Sequence, residues 1–512
     1  MRLFKRNNRL AVMLMVILSI HIVMIEPLSA ITIHEEEELS DEFMMMVREY
    51  YEFVDDFMIT DYVSRIGDKI VATLPEQPFQ YRFYVVKDAT YNAFAGPGGQ
   101  IFLNSGLFAA METVDELAGI IGHEISHVAC RHISDQIERQ KKIGLATLAG
   151  VAAGILMGAS GASSIGSAAT VGSAAAGQTL SLAYSRDDEM QADQIGLDNL
   201  TRAGFKVQGL LTMMTKIRSQ QWFGSKQIPT YLMTHPAVEN RIAYISSWLE
   251  EHPQPPPSAP DMLRSGFDLI HMKLVSLYDN EDLTLKKISD RLKQSPDDPV
   301  NLYGMGLIQA RMGHRKEGIS LLRKSLESRA FDPVILTDLG RIYFLDGNYE
   351  QALNILESTS GMVPNNLQCL YYLGRSQMEL GKFKEAAESL ERVFHMAPDH
   401  SETLFNLGKT YGALGKDGDA CYFLGVYYRL KGDYKNALFQ LERAQELGSD
   451  PEKQQEIENM IRKTKKRYRL LTREADQSRL NQFREIRSQD PFLSIVNEPR
   501  LMDPFKNELK VP

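Results

Sequence analysis

Four glycines, Gly306, Gly340, Gly374 and Gly408, stand 34 residues apart, and no other feature of the chain constrains its fold as strongly. Each is followed seven positions later by a second glycine (Gly313, Gly347, Gly381, Gly415) and twelve positions later by a small residue (Gly318, Ala352, Ala386, Ala420). A small residue lets two helices cross closely, and a glycine between them ends one helix and turns the chain into the next. A helix pair of this size cannot bury its apolar face alone, so successive pairs must stack into an α-solenoid.

This spacing is that of tetratricopeptide helix pairs. Its register slips once: Gly425, Gly432 and Ala437 keep the internal offsets but begin 17 residues after Gly408. The helix after Lys416 is therefore expected to serve as second helix of one pair and first helix of the next. Residues 265–298 have the length and periodicity of a degenerate capping repeat in which Met272 replaces the marker glycine, and Glu452 to Ser488 reads as a charged capping helix before a proline-containing tail. Arg341, Arg375 and Lys409 follow three successive marker glycines, a position that faces the inner groove of such repeats, and predict a basic column.

Upstream the composition breaks at His252-Pro253-Gln254-Pro255-Pro256-Pro257-Ser258-Ala259-Pro260, where missing amide donors and fixed proline φ exclude helix interior and central strand. The expected layout is a leader over 1–30, a first domain over 31–250, a linker over 251–264, repeats over 265–448 and a cap and tail over 449–512. The first domain is α+β. A helix is expected over 41–73, a strand over Tyr81–Val86, a second short strand over Gln100–Asn104 at the sheet edge, and a helix from Thr113 toward Lys142.

A basic segment (MRLFKRNNRL), an apolar segment (AVMLMVILSI) and the small residues of Leu28-Ser29-Ala30 make residues 1–30 an export signal, or an anchor helix if uncleaved. Either places the remainder outside the cytoplasm. Cys130, Cys369 and Cys421 are too few and too scattered for a disulfide framework. A net charge of −9 without a long basic block excludes a nucleic-acid partner.

The chemistry lies in Gly122-His123-Glu124-Ile125-Ser126-His127, an H-E-x-x-H motif. On a helix His123 and His127 project from one face and can share one Zn²⁺, while Glu124 is placed to act as general base. Leu117, Ile120, Ile121, Ile125 and Val128 supply the buried face that fixes them. A catalytic zinc needs a third protein ligand and an open position, and the best candidates lie in Asp188-Glu189-Met190-Gln191-Ala192-Asp193. Glu189 could equally be one carboxylate on a solvated helix face, and His235, before a proline, a loop histidine. Cys130 and His132 read as structural.

His123 to His127 with Arg131 and His132, Glu189 in an E-x-x-A-D setting, Thr234-His235-Pro236 with Arg241, and Asn92-Ala93-Phe94-Ala95 together resemble the gluzincin peptidases that include HtpX and the CAAX prenyl endoproteases. With a leader and C-terminal repeats, the chain is most similar to the periplasmic members of that group that assist outer-membrane β-barrel assembly. The resemblance implies one zinc per chain on His123, His127 and Glu189, with Glu124 activating water and Asp193 orienting a ligand histidine. It further implies His235 near the metal as a removable ligand or transition-state donor, Arg241 supporting it, and Gln100, Ile101, Phe102, Leu103 and Asn104 pairing with an extended substrate. Implied clients are unfolded or misassembled envelope proteins, and the β-barrel assembly machinery is the implied partner. The uncharged, Gly/Ala/Ser-rich stretch 143–185 is expected to form a mobile hairpin or lid that could touch lipid or client. The rival readings are a repeat-based chaperone or scaffold with a latent protease, and a domain whose zinc is structural.

Overall fold

The computed structural model describes residues 31–139, 184–223, 230–253, 262–448, 453–469 and 472. The leader over 1–30, most of the uncharged stretch (143–183) and the centre of the proline-rich linker lie outside the described residues. The chain divides into two compact units, 1–311 and 312–512. No described helix is long and apolar enough to cross a membrane.

In the first unit the helix expected over 41–73 is two helices, α1 (Ile33–Tyr50) and α2 (Phe57–Val71). Thr32 and Glu35 form a capping box at the start of α1, and Asp56 caps α2 through the amides of Met58 and Ile59. Between them the run Tyr51–Val54, rich in aromatic and β-branched residues, is better satisfied extended: the Val54 amide donates to the Val85 carbonyl and the Lys87 amide to the Glu52 carbonyl.

Three strands follow: β1 (Arg82–Val86), β2 (Ala93–Ala95) and β3 (Gln100–Asn104), in the order β1-β3-β2. This corrects the expectation for Gln100, Ile101, Phe102, Leu103 and Asn104. That segment is the middle strand, parallel to β1 along its whole length and antiparallel to β2, and all five residues are buried. Its backbone is committed on both sides, so it offers no edge to an extended substrate. A continuous apolar run buried on both faces is what a central strand carries. Phe102 is its anchor, stacked on Tyr84 and Phe94 with ring centroids 5.1 and 4.8 Å away.

After the short α3 (Ser105–Ala109) comes α4 (Val114–Ala129), capped by Thr113. It does not run on toward Lys142. Arg131, at φ +56°, breaks it, and α5 (His132–Arg139) starts in a new direction. Arg131 is held there by Glu36 (2.8 Å) and the Ile31 carbonyl (2.7 Å). Next are α6 (Arg186–Arg202), α7 (Gln208–Phe223), α8 (Thr230–Thr234) and α9 (Val238–Glu251). Helices α4 and α7 meet backbone to backbone: a Cβ on Gly119 would lie 2.7 Å from the Leu210 amide nitrogen.

Helices α10 (Met262–Tyr278), α11 (Glu281–Gln294) and α12 (Pro299–Arg311) lie beyond the proline-rich stretch yet belong to the first unit. Arg264 pairs with Asp115, and the buried Lys273 pairs with Asp56 at 2.9 Å. The second unit consists of α13 (Arg315–Ser328), α14 (Pro333–Leu345), α15 (Tyr349–Met362), α16 (Leu367–Glu379), α17 (Phe383–Met396), α18 (Ser401–Ala413), α19 (Asp417–Leu430), α20 (Tyr434–Leu447) and a helix over 453–469. The marker and turn glycines behave as their spacing implies: a Cβ on Gly374 would lie 2.7 Å from Leu390, and Gly381 turns the chain at φ +74°. Leu424 of α19 fills the space at Gly408 while Gly425 of the same helix receives Leu441, so α19 serves two pairs, as the half-period slip predicts.

Candidate active site

Helix α4 delivers His123, Glu124 and His127 on its buried face, and all three side chains are withdrawn from solvent. Helix α6 crosses α4 where Gly122 and Gly196 remove side-chain bulk and brings in Glu189 and, one turn later, Asp193, both buried. His235 arrives at the end of α8, its amide donating to the Tyr231 carbonyl. Pro236 and then Ala237, at φ +61°, turn the chain so that α9 brings Arg241 to the same centre.

His123 Nε2 and His127 Nε2 lie 3.0 Å apart, and each is 3.5 Å from a Glu189 oxygen. His235 Nδ1 is 3.4 Å from His123 Nε2 and 2.9 Å from Glu189 Oε1. Ligand atoms around a tetrahedral zinc, with bonds of about 2.0–2.1 Å, are about 3.3 Å apart, so this donor set fits such an ion. His123, His127, Glu189 and His235 form a buried group able to hold a metal. A second sign is that both carboxylate oxygens of Glu124 and Nε2 of His235 are buried without a hydrogen-bond partner among the described residues. Groups this costly to bury are kept where something else engages them.

Around this centre Asp193 Oδ1 lies 3.0 Å from His123 Nδ1. Arg241 grips Asp193 with two hydrogen bonds (2.7 and 2.8 Å) and reaches Glu189 Oε2 at 2.5 Å. Charge sets the protonation. Burial would raise both carboxyls, but Arg241 and the neighbouring histidines together outweigh it, holding Asp193 at about 2 and Glu189 well below the usual range. Glu124 lacks such a partner and burial pushes it up. Burial holds His127 well below an ordinary imidazole. Against burial and Arg241, Asp193 and Glu189 lift His123 to about 9, a proton that a cation at that ring must displace.

Sequence reasoning brought these residues together but missed their neighbours. Tyr184 stacks on His127 with centroids 3.7 Å apart, and Tyr231 on His235 at 4.3 Å. Tyr231, four positions before His235 in a helical turn, was the one with a readable signal. His132, read as structural, places Nδ1 2.9 Å from His127 Nδ1 and Nε2 3.0 Å from Gln191 Oε1. Cys130 has a free, half-buried thiol that burial raises to about 11.

Residues 60–249 match the family described as peptidase family M48. Tetratricopeptide repeat families match 371–420 and 418–450, and anaphase-promoting complex, cyclosome, subunit 3 matches 330–393. The chain is 30% identical over 250 residues to a putative β-barrel assembly-enhancing protease of Vibrio cholerae serotype O1, covering 49% of this chain and 50% of that one. It is 30% identical over 215 residues to the β-barrel assembly-enhancing protease of Escherichia coli K12, covering 42% and 44%. It thus spans about half the length of the curated relatives it matches. Among solved structures, YrrB, a TPR protein, is 18% identical over 38% of this chain and 95% of its own at a TM-score of 0.29, too slight a likeness to carry an argument. Residues 60–249 are a peptidase family M48 domain, and the helix pairs over 371–450 are tetratricopeptide repeats.

Proposed function

We propose that the chain is a periplasmic zinc endopeptidase that cuts unfolded or misassembled envelope proteins, with its repeats holding clients or the β-barrel assembly machinery. The observation that carries this reading is the convergence of His123 Nε2, His127 Nε2 and Glu189 beside a Glu124 whose two oxygens are unengaged. His123, His127 and Glu189 would hold one zinc, which would supply Lewis acidity to the carbonyl under attack and to the attacking water. Glu124 takes the water's proton as the C–O bond forms and hands it to the amine nitrogen as the C–N bond breaks. Asp193 fixes the ring of His123, and Arg241 balances the two carboxylates. The outer side of Ala93–Ala95, not the internal Gln100–Asn104, is a sheet edge at which an extended peptide could pair, the other edge strand, β1, being partly covered by the bridge from Phe53 to Val86. The domain limits read from composition, 31–250 and 265–448, stay a proposal, and dissection should keep 262–311 with the catalytic part, to which Arg264 and Lys273 are ion-paired.

His235 Nδ1 sits among the ligand atoms, which favours a second element of the reading: the enzyme rests with this imidazole where water must enter. A latent protease would leave the repeats to act as a chaperone, and a Glu124→Gln chain that rescues most of a deletion phenotype would favour that balance.

The test is metal content together with casein digestion. Wild type and Glu124→Gln are expected to hold about one zinc, with hydrolysis lost in the variant, and His123→Ala and Glu189→Ala to lose the metal. Full zinc occupancy in Glu189→Ala would remove the third-ligand assignment.

A further inference from the structure

We propose that Gln191 and His132 are positioning residues that fix the ring tautomer of His127, leaving its Nε2 lone pair free for the metal. The inference rests on the reading of His127 as a ligand and deepens it. An imidazole binds a metal only through an unprotonated nitrogen, so a neutral His127 must carry its proton on Nδ1. That atom faces Nδ1 of His132 at 2.9 Å, and between two facing nitrogens only one proton fits. Which ring owns it is decided at the far side of His132, whose Nε2 lies 3.0 Å from Gln191 Oε1. A carboxamide oxygen only accepts, so His132 carries its proton on Nε2. Its Nδ1 is then an acceptor, and the shared proton belongs to His127.

Two observations show that this arrangement is built. His132 is 1% exposed and reaches His127 only because Arg131 takes a left-handed conformation held by Glu36. Gln191 lies two positions after Glu189 and two before Asp193 on α6. One helix therefore supplies the third ligand, the partner of His123 Nδ1 and, through His132, the control of His127 Nδ1. Groups that orient a ligand histidine are worth about 10–100-fold in metal affinity.

The experiment measures zinc affinity by competition with a chromogenic chelator in full-length protein, together with two-bond ¹H–¹⁵N spectra of the histidine rings. Gln191 is exposed, so its variants keep the fold. Gln191→Glu, which still only accepts, is expected within about twofold of wild type, whereas Gln191→Lys, which only donates, and His132→Phe should bind zinc about 10–100-fold more weakly. The spectra should show His132 protonated on Nε2. A packing role predicts that Gln191→Glu and Gln191→Lys behave alike. Unchanged affinity in Gln191→Lys and His132→Phe, or a proton on Nδ1 of His132, overturns the relay while leaving the ligand reading intact. A wild type that binds no zinc overturns both.

Discussion

His235 presents Nδ1 to the ligand atoms and Nε2 to Glu124, 3.6 Å from its Oε1, and two opposite roles follow from the two nitrogens. If Nδ1 occupies the fourth position, His235→Ala keeps its zinc on three ligands and digests casein faster than wild type. If Nε2–H instead steadies the tetrahedral oxyanion, the same variant slows by about a hundredfold with zinc intact. Parallel digestion by the two proteins decides, and a slower variant ends the latch. A second residue-scale prediction concerns Asp193. Its folded pKa is about 2 against an ordinary 3.8. A depressed carboxyl stabilises the fold fully above its unfolded value and loses that stabilisation as pH falls through the folded one. The gap corresponds to about 2 kcal/mol. The stability difference between metal-free wild type and Asp193→Asn, from urea midpoints, should therefore shrink toward zero between pH 5 and pH 2. A constant difference would mean that Asp193 acts by shape alone.

Elements divide into those whose signal is local and those fixed by distant partners. The H-E-x-x-H helix was readable because its apolar face repeats with helical period, and the glycine markers because the same crossing recurs. The break at Arg131 was not, since arginine has no preference for positive φ and Glu36, which holds it, is 95 residues away in sequence. The place of Gln100–Asn104 in the sheet was likewise hidden, because a three-residue β2 pairing back across it leaves almost no pattern of its own. Two variants test the element-scale arguments. Gly119→Ala puts a methyl against the Leu210 backbone and should cost about 1–3 kcal/mol of stability, read as a lowered unfolding midpoint. In the second unit Phe331 stands at φ +65° and is 74% exposed, a conformation that Asn365 and Asp399 at the cognate positions of the next pairs do not share. Asparagine tolerates that conformation, so Phe331→Asn should gain about 1 kcal/mol. A lowered midpoint would show that the ring is held by contacts that outweigh its strain.

At the scale of the whole chain, if the catalytic domain reads backbone as proposed, client choice needs another surface, and the second unit is the candidate. Its period was legible throughout, whereas the reach of the first unit to Arg311 was not, because it depends on pairs such as Lys273–Asp56 that no local pattern announces. The basic column also changes on inspection of its members. Arg341 is bound through Nε to the buried Asp338 at 2.8 Å, so reversing it would set two carboxylates together and damage the fold rather than the surface. Arg375 lies over the Phe344 ring at 4.4 Å, which braces it without cancelling its charge, and Lys409 is exposed beside Phe405. The informative variant is therefore Arg375→Glu with Lys409→Glu, leaving Arg341 in place. If the column holds acidic client segments, this double variant should bind an acidic unfolded polypeptide about tenfold more weakly, about 1.4 kcal/mol, and lose much of the salt dependence of that binding. Zinc content and cleavage of a short peptide should not change, because neither residue belongs to the unit that carries the metal site. Unaltered capture at both low and high salt would reduce the column to ordinary surface charge and leave client choice to the catalytic domain.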